Sequence, residues 1–183
     1  MRTIVRRRIG AVAAAAATFL ALAAPVTAAQ SLQFTVGAPA PCEQATPAET
    51  EQVIADIHEY TNRERVSRGL NPVTRLASLD RIAQDWSEQM ASVDAMTHNP
   101  QIKALMAATY DGTPLSDGKW TSYGENVLQN WCGASGEALV QQWMNSLPHR
   151  LNLLNPVHTH LGVSVEVADS RKLYSTQNFA RLT

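Results

Sequence analysis

The sequence lacks an excess of charge of one sign, has only two cysteines and contains a single long apolar run. Its 183 residues include 15 basic and 16 acidic side chains, which give a formal net charge of -1. A nucleic-acid-binding protein needs a basic stripe, so this balance argues against nucleic acid as a partner. Two cysteines are too few for a disulfide-rich scaffold, and charged residues make up too much of the chain for a membrane protein.

The single long apolar run lies near the N-terminus. Residues 1–8 carry four arginines, residues 9–24 are apolar and mostly alanine, and residues 26–28 form a cleavage site with small residues. This order predicts a secretory signal peptide over residues 1–28. The alternative is a membrane anchor, but the run is short for a span and alanine is only weakly hydrophobic. We therefore expect a secreted protein, extracellular or associated with the cell envelope, without a transmembrane anchor after signal removal.

The two cysteines, Cys42 and Cys132, form an even pair in a chain that we expect to be exported. In an oxidising compartment such a pair predicts one intramolecular disulfide. That bridge would tie residues 29–46, which we expect to form an extended arm, to the middle of the domain. The alternative is a catalytic cysteine with a histidine partner, which an exported chain with only two cysteines makes the weaker interpretation.

Helix signals come first along the rest of the chain. Thr46-Pro47-Ala48-Glu49 combines an N-cap, a proline at the first helical position and a capping box. A second helix is predicted from Ser78, and Ser135 predicts the start of a third. Helical spacing places the following residues on the buried face of the second helix: Leu79, Ile82, Trp86 and Met90.

Strand signals come last. Residues 161–167 alternate between apolar and polar, and residues 172–181 form the expected partner strand across a short turn. Residues 124–130 predict a further short strand. Helices followed by a hairpin are typical of an α+β fold, with the helices packed on a small antiparallel sheet.

Several well-known catalytic signatures do not occur in the sequence. There is no H-E-x-x-H, G-x-S-x-G, P-loop or G-x-G-x-x-G pattern. What remains are single polar residues near the ends of predicted elements, and each has a structural explanation. His98 suits a helix C-terminus, Glu125 can accept from backbone amides in a turn, and Arg150 suits an ion pair. His158 and His160 would share a face and could bind metal on a strand, whereas a loop position favours solvent exposure.

Taken together, these residues form an ordered set of motifs that resembles the CAP superfamily, which comprises cysteine-rich secretory proteins, antigen 5 and pathogenesis-related proteins. The resemblance is to its compact bacterial branch and predicts a CAP domain over residues 47–183. The motifs are Asn62-x-x-Arg65, Gly69-Leu70-Asn71-Pro72, Thr97-His98, Gly124-Glu125-Asn126, Trp143-x-x-Ser146-x-x-His149-Arg150, Gly162-Val163 and Gln177-Asn178-Phe179.

The resemblance implies an α-β-α sandwich with a three- or four-stranded antiparallel core and a polar cleft. Typical members line this cleft with two histidines and two acids, and the cleft can bind a divalent metal such as zinc. Here His98 and Glu125 stand for the first histidine and first acid, and His149 for the second histidine. Ser146 stands where the second acid would be. This departure implies weak zinc binding through His98 and His149, with no cofactor required.

Three functions follow from this set of residues. The first is a secreted, non-catalytic binding module for a lipid or cell-envelope ligand, because members of the superfamily bind sterols, fatty acids or proteins; we expect it to be a monomer. The second is a metal-dependent hydrolase of the peptidase or esterase type that uses His98, Glu125 and His149. The third is a structural envelope protein whose cleft is a hydrogen-bonded remnant.

The paired cysteines generate the first testable prediction. We expect the exported protein to contain a Cys42–Cys132 bridge, so its intact mass should be about two hydrogens below the reduced mass. Mass spectrometry before and after reduction measures this difference. Alkylation of both thiols without prior reduction would contradict the pairing.

Overall fold

The computed structural model describes residues 45–106, 109–110, 113–114 and 120–182. The predicted signal peptide, nearly all of the predicted arm and Cys42 lie outside these residues, so the disulfide remains a prediction. The described helices are α1 (Pro47–Val66), α2 (Ala77–Val93), α3 (Ile102–Met106), α4 (Gly136–Met144) and α5 (Leu147–Leu153). The described strands are β1 (Thr74–Arg75), β2 (Thr109–Tyr110), β3 (Thr113–Pro114), β4 (Trp120–Trp131), β5 (His160–Val167) and β6 (Lys172–Leu182).

Caps confirm two of the three helix starts that the sequence predicts, whereas α2 begins at Ala77, one residue before the predicted Ser78, without a side-chain cap. Thr46 Oγ1 accepts from the Glu49 amide at 3.3 Å, and Glu49 Oε2 accepts from the Thr46 amide at 2.7 Å. These two bonds satisfy backbone donors that the first turn of a helix cannot pair internally. Ser135 caps α4 through a bond of 3.2 Å from the Ala138 amide. Among the described residues, no helix is both long enough and apolar enough to cross a membrane.

The main sheet has the strand order β1-β5-β6-β4, and β6 pairs with both of its neighbours in antiparallel fashion. The small antiparallel sheet that we predicted is confirmed for β4, β5 and β6, and the short edge strand β1 adds a parallel pairing with β5. Asn62 on α1 supports this arrangement by bonding both backbone groups of Val73 through its side-chain amide. The sequence did not predict β1, because a strand of two residues has no sequence signature. The predicted strand over residues 124–130 is present as β4, which is longer at both ends.

Helices cover both faces of this sheet, which confirms the predicted α-β-α sandwich. Alternate β5 residues, from Leu161 to Val165, join a core cluster with α1, α4 and α5. The β5 residues between them face α2. On this side of the sheet, Ala180 of β6 joins one small apolar cluster and Tyr174 of β6 joins another. Of the four α2 residues predicted to lie in the core, Leu79, Ile82 and Met90 are buried, whereas Trp86 is half-buried.

The start of α2 lies directly against β5 at Gly162. A Cβ atom at this position would overlap the backbone carbon of Leu79 and the amide nitrogen of Asp80. Only glycine lets the two backbones approach this closely. Asp80 then accepts from the Val163 amide at 2.8 Å, which fixes the helix along the strand.

The loop between α5 and β5 is fastened by a buried arginine, Arg65. Its guanidinium donates to the carbonyl oxygens of Leu153 at 2.7 Å, Asn155 at 2.9 Å and His158 at 3.2 Å. Its Nε donates to the Asn71 carbonyl at 2.9 Å, so that Arg65 joins two loops of the fold. These bonds satisfy the donors of a buried guanidinium, which would otherwise be costly to remove from water.

Solvent exposure, which a loop position would favour, does not hold for His158, and it holds only in part for His160, the first residue of β5. His158 is buried with its ring stacked on Phe179 at a centroid distance of 5.2 Å, and Nδ1 lies 3.2 Å from the Asn152 carbonyl oxygen. His160 is half-buried, and its Nδ1 lies 2.8 Å from Thr159 Oγ1. Burial, followed by the positive charge of Arg65, lowers the pKa of His158 to about 4. Arg65 bonds the carbonyl oxygen of His158 and so holds this part of the loop against the core.

The contact at Gly162 predicts a large effect from a single methyl group. Gly162→Ala should lower the free energy of unfolding by about 3 kcal/mol, because a rigid helix backbone has to move to make room. Urea denaturation measures the change. Ser164→Ala removes an atom from the same face of β5 and should produce a much smaller loss. Equal stabilities of Gly162→Ala and the wild type would show that α2 does not lie against the strand.

The burial of His158 predicts a loss of stability in acid. Its pKa is about 4 in the folded protein against an ordinary value of 6.5, so the unfolded chain binds the proton more readily. The contribution is present above pH 6.5 and is lost as the pH falls towards 4, amounting to about 3 kcal/mol. Denaturant unfolding at several pH values measures it. His158→Gln, which keeps a donor for Asn152, should lose that part of the pH dependence, and identical slopes in both proteins would contradict this account.

Candidate functional site

A hydrogen bond joins two of the predicted cleft residues, His98 and Glu125. His98 Nδ1 lies 2.7 Å from Glu125 Oε1, although the two residues are 27 positions apart in sequence. The histidine side chain is 64% exposed, whereas the glutamate side chain is only 5% exposed. Glu125 Oε1 also accepts from the Asn99 amide at 2.9 Å. The pair therefore presents an accessible imidazole on a buried and fixed carboxylate.

The end of α2 decides where His98 lies. Asp94 ends the helix in a left-handed conformation, with φ of 50°. Its carboxylate accepts from Ser170 Oγ at 2.7 Å, Lys172 Nζ at 2.9 Å and Tyr174 OH at 2.9 Å, which fasten the helix end to the β5–β6 hairpin. These bonds, with Lys172 first, lower the pKa of Asp94 to about 2.

Trp86 holds the segment that follows α2. Its indole Nε1 donates to the Thr97 carbonyl oxygen at 2.8 Å. This bond places the residue immediately before His98 against the helix, so the chain passes beside β4. The half-burial of Trp86 thus has a role that helical spacing does not reveal.

The electrostatic environment of Glu125 combines two opposing effects. Burial raises the pKa of Glu125, while the hydrogen bonds from the Asn99 amide and from His98 act in the opposite direction. Its second oxygen, Oε2, is buried and has no hydrogen-bond partner within the described part of the chain. The carboxylate is thus strongly bonded on one side only.

His149 and Ser146, the other two predicted cleft residues, belong to α5 and its N-cap. The His149 carbonyl oxygen accepts from Asn126 Nδ2 at 3.0 Å, which holds the residue beside β4. Burial and, to a smaller extent, the charge of His98 lower the pKa of His149. Ser146 is the N-cap of α5 but makes no side-chain capping bond. No hydrogen bond joins either side chain to Glu125 among the described residues.

A network of side-chain amides supports the cleft, and the sequence did not reveal its role. Asn152 Nδ2 donates to the Glu125 carbonyl oxygen and to Asn126 Oδ1, both at 3.0 Å. A Cβ atom on Gly124 would lie 3.0 Å from Asn152 Oδ1, so glycine lets α5 approach the strand. These residues stand within or beside the recognised motifs, but their partners become visible only in the folded chain.

The fit of a metal ion to these residues is limited. Within residues 45–106 and 120–182, no group of three or more histidine, cysteine, aspartate or glutamate side chains is arranged to hold one. Glu125 Oε1 is occupied by two hydrogen bonds and the Glu125 side chain is only 5% exposed, so the exposed imidazole of His98 is the more accessible ligand group. The site resembles a histidine held by a carboxylate, a pair that is common next to metal ions.

The α-β-α sandwich, with the His98–Glu125 pair on the outer strand of its sheet, is the arrangement that the sequence motifs predict. The family model described as the cysteine-rich secretory protein family, CAP, matches residues 58–179. The chain therefore belongs to the CAP family, as its motifs predict.

Comparisons with individual proteins are with bacterial relatives. The chain is 32% identical over 124 residues to the uncharacterized protein YkwD of Bacillus subtilis, covering 65% of this chain and 44% of that protein. It is 31% identical to the crystal structure of an extracellular protein containing a SCP domain from Bacillus anthracis, with a TM-score of 0.56. That match covers 76% of this chain and 45% of the other.

A third comparison shows the fold alone. An outer surface protein from Borrelia burgdorferi matches with a TM-score of 0.61 at 14% identity, covering 73% of this chain and 96% of that one. By contrast, the chain spans less than half the length of the curated relatives that it matches. The match therefore covers only part of each of those longer proteins.

Proposed function

We propose that this CAP-domain protein is a secreted binding module without turnover, whose cleft takes up a divalent cation weakly. The observation that carries the proposal is the bond of 2.7 Å between His98 Nδ1 and Glu125 Oε1. In this proposal Glu125 orients His98, which binds the cation, and does not act as an acid or base in a reaction. The cleft residues of the proposal are His98, Glu125, Ser146 and His149.

His98 is the principal cation ligand in this proposal. When its Nδ1–H donates to the carboxylate, the lone pair of Nε2 is free for a cation, and the carboxylate makes that nitrogen more basic. The ring is 64% exposed, so a cation reaches it without any opening of the fold. His149 contributes the second nitrogen, and its lowered pKa keeps its imidazole neutral near pH 7. A zinc ion there would supply a positive centre that attracts an anionic ligand.

Weak binding follows from the number and charge of the ligands. Structural zinc sites use four protein ligands, and catalytic sites commonly use three. Here two imidazoles are available, and Ser146 supplies a neutral hydroxyl where a second acid would add one negative charge. The lack of a second acid also argues against the hydrolase alternative, because a hydrolase needs a general base beside the metal.

An exterior location has two lines of support, and an apolar ligand has one. The N-terminal segment has the order of a signal peptide, and the Bacillus anthracis relative is described as extracellular. The short helix α5 exposes Leu147 and Leu151, which are 57% and 63% accessible and one turn apart. Exposed apolar surface next to a polar cleft suits a lipid or cell-envelope ligand. We expect the protein to act as a monomer.

Zinc titration by calorimetry tests the proposal. Wild type should bind zinc weakly, His98→Ala should abolish the signal, and Glu125→Gln should weaken it about 10–100-fold because the histidine loses its partner. Ser146→Glu should tighten binding by restoring a charge. Binding should also weaken in acid, since a protonated imidazole has no lone pair for a metal.

His160→Ala is the matched control, because it removes a half-buried histidine whose Nδ1 faces Thr159. Equal affinities for wild type and His98→Ala would reject the metal site and leave a structural cluster. An unchanged affinity in Ser146→Glu would show that Ser146 does not occupy the position of the second acid. Turnover of peptide or ester substrates by the zinc-loaded protein, lost in His98→Ala, would replace the binding module with the hydrolase.

A further inference from the structure

The central strand β6 carries four consecutive polar residues, Ser175–Asn178, and all four are fully buried. A strand that is covered on both faces is normally apolar, so each of these side chains needs a partner. Ser175 Oγ donates to the Ser164 carbonyl oxygen at 2.8 Å. Thr176 Oγ1 accepts from Ser87 Oγ at 2.9 Å.

Gln177 is equally well bonded. Its Nε2 donates to Thr61 Oγ1 at 2.9 Å, and its Oε1 accepts from Asn126 Nδ2 at 3.2 Å. Three of the four polar side chains on this part of β6 therefore have partners inside the protein. The fourth, Asn178, is the exception.

Neither amide atom of Asn178 has a hydrogen-bond partner within the described residues, although the side chain is fully buried. In the sheet register Asn178 stands opposite Glu125 on β4 and opposite Gly162 on β5. Residues directly opposite each other point to the same face, with Cβ atoms about 5 Å apart. The unpaired Glu125 Oε2 thus lies on the same face as the unpaired amide of Asn178.

Two neighbouring buried groups that both lack a hydrogen-bond partner indicate that they share one. Leaving a buried polar group unpaired is costly, and folded proteins avoid it through a protein partner or a buried water. A cation would satisfy Glu125 Oε2 and Asn178 Oδ1 but would leave the Nδ2 donor without an acceptor. Water both donates and accepts, so it matches a carboxylate oxygen together with an amide.

We infer that the space between Glu125 and Asn178 is an internal water site, and that Asn178 is a positioning residue acting through this water. A water that donates to Oε2 prevents the carboxylate from turning, which keeps Oε1 towards His98. The bond from His98 Nδ1 then holds the ring in the tautomer with Nε2 unprotonated. The water site exists with or without metal, so it is tested separately from the proposed function.

The tautomer of His98 reports on this arrangement in the metal-free mature protein. Nitrogen-15 NMR at pH about 8, where imidazole is neutral, distinguishes a protonated Nδ1 from a protonated Nε2. Wild type should show His98 almost entirely with Nδ1 protonated. Asn178→Leu, which is similar in size but has no polar atom, should show a mixture of the two tautomers.

Two further variants separate positioning from general stability. Thr176→Val removes the bond to Ser87 on the same strand and face, and it should lower stability without changing the His98 tautomer. Asn178→Ser keeps a polar group and leaves room for water, so it should retain the wild-type tautomer. An unchanged tautomer in folded Asn178→Leu, or the same mixture in Thr176→Val, would overturn the positioning role.

A high-resolution crystal structure of the wild type tests the water directly. We expect an ordered water within hydrogen-bond distance of both Glu125 Oε2 and the Asn178 amide. Its absence, with the two side chains bonded elsewhere, would overturn the inference. If Asn178→Leu does not fold, the wild-type density and the Asn178→Ser tautomer decide the question.

Discussion

A close approach between one helix and the sheet sets the position of the cleft. At the start of α2 the helix backbone lies against Gly162 of β5, where any side chain would overlap it. Because glycine lets the two backbones meet, Asp80 reaches the Val163 amide and fixes the helix along the strand. Asp94 fastens the other end of α2 to the β5–β6 hairpin. The helix is held at both ends, so His98 follows it beside β4, within reach of a buried carboxylate.

The interior that surrounds this arrangement contains many buried polar side chains. Arg65 is buried with four carbonyl acceptors, and Gln177 connects Thr61 on α1 with Asn126 on β4. Each bond contributes modestly to stability, but removing one partner leaves the other buried and unpaired, which costs more than the bond itself contributes. Such groups favour one alignment of helices and strands over others. The polar interior thus helps to define the register that brings Glu125 opposite Asn178.

The edge of the sheet explains why the cleft is accessible. β4 is an outer strand of the main sheet, and such strands tend to pair with other chains. Side-chain amides reduce this risk, since Asn152 bonds the Glu125 carbonyl and Gln142 bonds the Gln129 carbonyl. The same edge leaves the His98 ring open to solvent while its carboxylate partner stays buried. The His98 ring is held by the buried Glu125 carboxylate while most of its side chain is exposed. Such a side chain is suited to binding, because it loses little freedom when a ligand arrives.

The sequence by itself determined the helix starts and the strand that depend on interactions between residues close together in the chain. The capping box at Thr46, the cap at Ser135 and the alternation after His160 act within a few residues, and all three appear where the sequence predicts them. The ordered motifs also identified the family and the His98 and Glu125 positions. Tertiary structure alone decided the parallel pairing of β1, the burial of His158 and the unpaired amide of Asn178. These features depend on partners far away in sequence, and no local pattern encodes the distance between atoms that only folding brings together.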